Sequence, residues 1–570
     1  MTTPTRRKFL NDAASALLDS KPEIAEFEYN DPSNKDIPRH LAKTNTGINT
    51  YTGTWSDTQL IHLLRRTLFG VTQNDLNYFR TKTMSQVVDE LLTIPTAAPL
   101  PPVNSYNNAQ ITDPDVPLGQ TWVNAPANPL LENLRIQSMK SWWMQLIINQ
   151  DRNIREKMTL FWHNLFATET TVIRDSRYTY KHHAMLRAQC LGNFKTLTRD
   201  VTIDPGMLVY LNGELNTANA PDENYARELQ ELFTIGKLID PHYTEADVKA
   251  AARVLTGWRN NRTTITSFFN ASVHDTGNKQ FSSFYGNRII TGRTGANAGI
   301  DELNDLLNMI FDHPEVAKHI CRELYRYFVY YIIDESVELN VIEPLADYFR
   351  SNNYDIRKVL EKLLSSEHFY DPLNMGCMIK PPVDYLAGCA RMMNLLFPNS
   401  SNIQVQYAHY LYVQQYAALI GQNTGDPPDV AGWPAYWQNP QYYQMWINSD
   451  SLPKRNQAND LLIYIGYNRF GHNLKYDTIA FANQFSDAAD PNALINNITK
   501  LCFPVDVSAT TKTAMKVSFL LTGQSSDHYW TDAWNDYKAN PADAMKKAMV
   551  ETRLQGLMKY IFGLAEFQLS

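Results

Sequence analysis

The chain has 570 residues and a net charge of −7, from 52 basic and 59 acidic side chains. Its 44% apolar and 19% charged residues make a globular balance, and it lacks the basic footprint a nucleic-acid partner needs. Five scattered cysteines without a CxxC pair argue against a disulfide framework or structural zinc, and no apolar run reaches the roughly 20 residues of a membrane span.

The N-terminal "TPTRRKFLNDAASALL" sets Arg6, Arg7, Phe9 and Leu10 in the order of a twin-arginine export signal. The apolar stretch after it, "AASALL", is short for such a signal. The pattern predicts periplasmic or extracellular export; the alternative is a cytoplasmic protein with a basic helical start. Residues 20–52 lack apolar periodicity, so 1–50 reads as a tail or strap.

Helices then follow. "SDTQLIHLLRRTLFG" opens on a Ser56/Asp57 cap and stops at Gly70, and "TQNDLNYFRTKTMSQVVDELL" follows a Thr72 cap. Residues 95–130 hold eight prolines and form a long loop. "NIREKMTLFWHNLFAT" sets Ile154, Met158, Phe161 and Leu165 on one core stripe. "ENYARELQELFTIG" is amphipathic, with Leu229 and Phe233 on its apolar side, and "YTEADVKAAARVLTGW" starts at a Thr244 cap. Residues 263–294 read as a β-hairpin excursion, "TTITSFFNASV" and "QFSSFYGNRIITG" flanking the turn "HDTGNK". Helices return beyond it, two of them separated by Pro314. The prediction is a mainly α fold with this one hairpin: a tail at 1–50, a helical core at 51–372 and a helical C-terminal part at 373–570.

Several ordered segments carry a family likeness: "HLLRRTLFGVTQNDL", "REKMTLFWHNLFAT", "DPGMLVYLNGELNTANAPDENYARELQELFTIG", "YTEADVKAAARVLTGW", "HDTGNKQF", "HPEVAKHICRELYRYFV", "PPDVAGWP" and the final "AEFQLS". Together they resemble the bacterial family known as domain of unknown function 1800, over residues 56–570. The resemblance implies a helical, often exported protein whose gene neighbours encode a second exported family, domain of unknown function 1501. It brings no established catalytic residues.

Chemistry-bearing candidates come from the residues themselves. On a helix keyed to Phe161, His163 points about 200° away, beside Asn164, and reads either as a base or as a plain amphipathic-edge histidine. Glu223, Arg227 and Glu231 form one i, i+4, i+8 row, and Asn224 and Glu228 a second. These rows are either a self-paired exposed ladder or the lining of a cleft fed by the Asn/Gly loop before them. In the second reading Asn212, Asn216, Asn224 and Arg227 bind, Arg227 and Glu228 are substantially buried, and Glu223, Glu228 and His163 are the catalytic candidates for acid/base work. His274 and Asp275 fit either turn chemistry or a site. Asp429 and Trp433 of "PPDVAGWP", with Tyr436 and Trp437 nearby, could stack a sugar or pack a subdomain.

No P-loop, dinucleotide fingerprint, nucleophile elbow or HExxH spacing occurs, so neither a cofactor nor a metal is expected, although His163, His274, Asp275 and Glu228 are the residues that could be combined in one. Three functions compete: binding of a glycan or protein partner at the cell envelope through a polar cleft around 212–231, a hydrolase using the carboxylates and histidine, and a structural partner of the 1501-type protein.

Overall fold

Ser56 caps the first helix among the described residues, α1 (Asp57–Thr67), through a capping box with Gln59, as its sequence predicts. The next predicted helix is two, Gln73–Phe79 and Met84–Leu91, because Thr83 builds a second capping box and restarts the chain. The computed structural model describes residues 46–237 and 242–570. Arg6 and Arg7 lie outside the described residues. Residues 46–51 are docked rather than loose: Tyr51 N–H donates to the Ser365 carbonyl at 2.8 Å, and its ring lies 4.8 Å from Tyr370.

The long proline-rich loop is held by its own small core. Trp122 is buried with Tyr106 and Val116, and Arg135 makes a wholly buried ion pair with Asp113 at 2.8 Å. Arg135 belongs to α2 (Glu132–Ile148), which packs along α9 (Ile403–Leu419), where Ser141 Oγ donates to the Tyr407 carbonyl at 2.5 Å. Between them in sequence come α3 (Arg155–Leu165), α4 (Ser176–Ala188), α5 (Asn224–Glu231), α6 (Glu245–Val254), α7 (Ala298–Asp312) and α8 (Glu315–Phe328).

The stripe Ile154, Met158, Phe161 and Leu165 is buried, and so are Leu229 and Phe233. Yet α3 is no amphipathic surface helix: every side chain from Arg155 to Leu165 is buried. Its charged groups therefore need partners inside the protein. Glu156 accepts two bonds from Arg187 of α4, at 2.9 and 2.6 Å, and Lys157 pairs with Asp384. The described residues cluster as one compact unit.

Strand is confined to short antiparallel hairpins among the described residues: β1 (Trp258–Asn261) with β2 (Thr266–Phe269), β3 (Lys279–Gln280) with β4 (Ile289–Ile290), and β5 (Tyr467–Arg469) with β6 (His472–Leu474). The predicted excursion is present, but its two halves do not pair with each other. The first half pairs backwards onto β1, and the second folds on itself. "HDTGNK" is a connector between these hairpins. A buried network fixes it: Glu302 of α7 lies 2.6 Å from Lys279 Nζ and 3.2 Å from His274 Nε2, and accepts from Arg293 N–H at 2.6 Å.

Lys279 and Glu302 side chains are both fully buried. Replacing one partner of such a pair strands the other charge, so Glu302→Gln should cost about 3–5 kcal/mol in urea denaturation. A loss below about 1 kcal/mol would show that the hairpins do not depend on this anchor.

Candidate functional site

The "PPDVAGWP" segment is seated on the C-terminal end of α3. Asn164 Oδ1 accepts the Trp433 N–H at 2.9 Å, and a Cβ on Gly432 would stand 2.5 Å from the Asn164 carbonyl oxygen. Gly432 also has φ +83°, so glycine is required here for two reasons. Asp429 shapes the loop by accepting from Ala431 N–H at 3.0 Å. Trp433 is only 1% exposed and is a packing residue, its ring 5.9 Å from that of His163. Trp143 covers His163 from another side at 5.1 Å. The imidazole is thus enclosed, and its Nε2 has no hydrogen-bond partner. Burial pushes its pKa down to about 3, with the nearby His182 adding to the effect. His163 is a neutral core histidine, not an amphipathic-edge one, because tryptophans from two distant segments cover the face that the stripe leaves open.

Helix α5 ends at Glu231, five residues before the predicted glycine stop, and a turn carries the chain on to Gly236. The N–H groups of Ile235 and Gly236 both donate to the Gln230 carbonyl, at 3.0 and 3.1 Å, and Gly236 has φ +91°. A Cβ on Gly236 would lie 2.8 Å from His319 Nδ1, so the turn can press against α8. His319 Nε2 donates to the Leu232 carbonyl at 2.8 Å, locking the two helices together.

Where α3, α5, α8 and the "PPDVAGWP" loop meet there is a cleft of about 260 Å³, lined by Asn164, Glu231, Lys237, Arg322, Glu323, Arg326 and Trp437 among others. Its charges are matched internally. Lys237 pairs with Glu231 at 3.0 Å, Arg326 with Glu323 at 2.7 Å, and Arg322 with Glu315 at 3.1 Å. Trp437 stays 37% exposed at its edge.

The polar rows of α5 divide. Arg227 is on the outside, its side chain 34% exposed and paired with Glu223 at 3.2 Å and Glu245 of α6 at 2.7 Å. The expectation that Arg227 is substantially buried is therefore corrected: it is the centre of a surface ladder. Its row reaches the cleft only through Glu231. Glu228 is half-buried, with no cation within ion-pair distance among the described residues. Burial, and then Glu231, raise its pKa to about 7. Asn212 is exposed in a left-handed turn, and Asn224 is exposed at the helix start. Asn216 is buried, donating to the Ala252 carbonyl at 2.9 Å and accepting from Asp222 N–H at 3.0 Å. His274 belongs to the Glu302 network, and Asp275 pairs with Arg253 at 2.7 Å. The structure thus brings Asn164, Trp433 and Asp429 beside one another and leaves Asn212, Asn224, His274 and Asp275 outside the cleft. No cluster of three His, Cys, Asp or Glu that could hold a metal occurs among the described residues.

Sequence reasoning missed the α8 contribution. His319, Arg322, Glu323 and Arg326 stand at i, i+3, i+4 and i+7, a polar row opposite buried Ala317, Cys321 and Phe328 that helical periodicity could have isolated.

Two outcomes follow. In the unfolded chain His163 titrates near pH 6.5, whereas in the fold it stays neutral down to about pH 3. The unfolded state therefore binds the extra proton between these values, and stability falls as pH drops. His163→Phe should flatten that fall by about 1.4 kcal/mol per pH unit between pH 6 and 4, read from urea denaturation at several pH values. Arg227→Ala, by contrast, should barely move the urea midpoint, because solvent replaces its partners.

No curated protein and no solved structure matches the chain. One family model, described as protein of unknown function (DUF1800), matches residues 62–569, and the chain belongs to that family.

Proposed function

We propose that the protein is a non-catalytic binding component of the cell envelope that holds a glycan in the cleft between α3, α5 and α8. The observation that carries this reading is the pairing of charges around Trp437. Each cation lining the cleft already has a carboxylate partner. Such a site offers many oriented hydrogen-bond donors and acceptors without a large net field. A neutral polyhydroxylated ligand suits it better than an ion. Trp437, partly exposed at the edge, supplies a flat apolar face for a sugar ring, while its Nε1 is tied back to the Gly432 carbonyl at 3.4 Å. Envelope localisation draws on the Arg6-Arg7 pattern.

A hydrolase is the second reading, and Glu228 favours it. A carboxyl with a pKa of about 7 is half protonated at neutral pH, which suits a general acid. In that case the pH dependence of turnover would carry an ascending or descending limb near 7, absent in Glu228→Gln.

Titration with short oligosaccharides of bacterial cell-wall and capsular type should change tryptophan fluorescence and give saturable heats. Trp437→Ala should weaken binding by about tenfold or more, equivalent to about 1.4 kcal/mol, without altering the far-ultraviolet spectrum. Binding that survives Trp437→Ala unchanged would reject this cleft as the glycan site, and release of reducing ends during the titration would favour the hydrolase.

A further inference from the structure

The other end of α3 opens into a second cavity, of about 280 Å³, beneath the segment Ile94–Pro99. Its walls are largely apolar. Trp142 and Tyr180 stand with ring centroids 5.7 Å apart, and Ala184 and Ala188 of α4 keep the space open. Trp142 is fixed by donating its Nε1–H to the Leu100 carbonyl at 2.8 Å.

Into this apolar space the protein places Arg155. The residue is 6% exposed. Its Nε has no hydrogen-bond partner, and its described side-chain bond is a long one, from Nη1 to the Ala97 carbonyl at 3.4 Å. No carboxylate pairs with it among the described residues, since neighbouring Glu156 gives its Oε1 to Arg187. Arg187 also lines the cavity. Burial, and then the charge of Arg187, pull the Arg155 guanidinium pKa down. A buried guanidinium with no carboxylate at ion-pair distance, Glu156 and Asp151 acting on it only from farther off, is costly, whereas Glu156 and Lys157 of α3 each have a partner within the fold.

We infer that this cavity is a binding site for a small carboxylate with an aromatic or aliphatic body, the carboxylate pairing with Arg155 and the body lying against Trp142 and Tyr180. A carboxylate accepts charge-assisted N–H bonds from a guanidinium, which would supply the counter-charge that no described residue brings within ion-pair distance of Arg155. The cavity is walled mainly by apolar side chains where the α8 cleft is lined by paired charges, so this ligand is distinct in chemistry from the glycan of that cleft.

Phenylacetate, benzyl alcohol and phenyl phosphate serve as probes for calorimetry and tryptophan fluorescence on the full chain. Phenylacetate should bind and raise the melting temperature, with benzyl alcohol at least about tenfold weaker. Arg155→Met should abolish the preference for phenylacetate. Because that change is buried, Ala188→Trp at the exposed rim provides an independent block: it should close the cavity and remove phenylacetate binding while the circular-dichroism spectrum is kept. Absence of any phenylacetate signal at millimolar concentration would overturn the inference. So would equal affinity for benzyl alcohol, or unchanged phenylacetate affinity in Ala188→Trp. Tighter binding of phenyl phosphate would overturn the carboxylate assignment.

Discussion

The complete burial of α3 is the constraint around which this protein is organised. A helix whose eleven residues include Arg155, Glu156, Lys157, His163 and Asn164 would ordinarily keep one face in water. Here water is excluded all round, so each polar group dictates what must stand next to it. Glu156 requires Arg187, which sets α4 alongside. Lys157 requires Asp384, which draws in a segment more than two hundred positions away. Asn164 requires the Trp433 amide, which seats a loop that in turn shields His163. The surrounding architecture is the set of answers to these demands.

The two ends of this helix are where the answers stop. At its C-terminal end Asn164 opens onto the cleft bounded by α5 and α8, and at its N-terminal end Arg155 opens onto the cavity beneath Ile94–Pro99. Nine steps of about 1.5 Å, from Arg155 to Asn164, separate the openings by roughly 14 Å along one rigid element. The chemistry of the openings differs. One is polar with its charges matched, the other apolar with a charge left over.

Much of this was legible from residue order, and the rest was not for identifiable reasons. Caps and 3.6-residue spacing found the helices because those signals are local: Ser56 and Thr244 build their capping boxes within four residues. The strand partners escaped because "WRNN" has no alternation to mark it, and because "YNR" and "HNL" are too short to carry a pattern. The ladder on α5 was ambiguous in principle. An i, i+4 row of opposite charges looks the same in sequence whether it faces solvent or a cleft, and only the position of Glu245 settles that Arg227 faces outward. Asn164 and "PPDVAGWP" were each recognisable as candidates, but not as a pair, since 269 positions separate the donor from the acceptor. The stripe on α3 was read correctly as core. That its opposite side is also core depends on Trp143 and Trp433, which no local pattern reports.

Helix α1 carries a consequence for how such a chain can be made. Its buried polar side chains are satisfied by backbone carbonyls that come much later in synthesis. His62 bonds the Phe369 carbonyl, Arg66 the Asn374 carbonyl, and Arg65 the Leu501 carbonyl, across gaps of 307, 308 and 436 positions. Until residues 369 and 374 have left the ribosome α1 lacks the acceptors of His62 and Arg66, and until residue 501 has left it lacks that of Arg65. The buried hydrogen bonds of α1 cannot all form until most of the chain has been translated. Completion of this fold is therefore a late event, and a chain that stops before residue 501 leaves Arg65 without its acceptor.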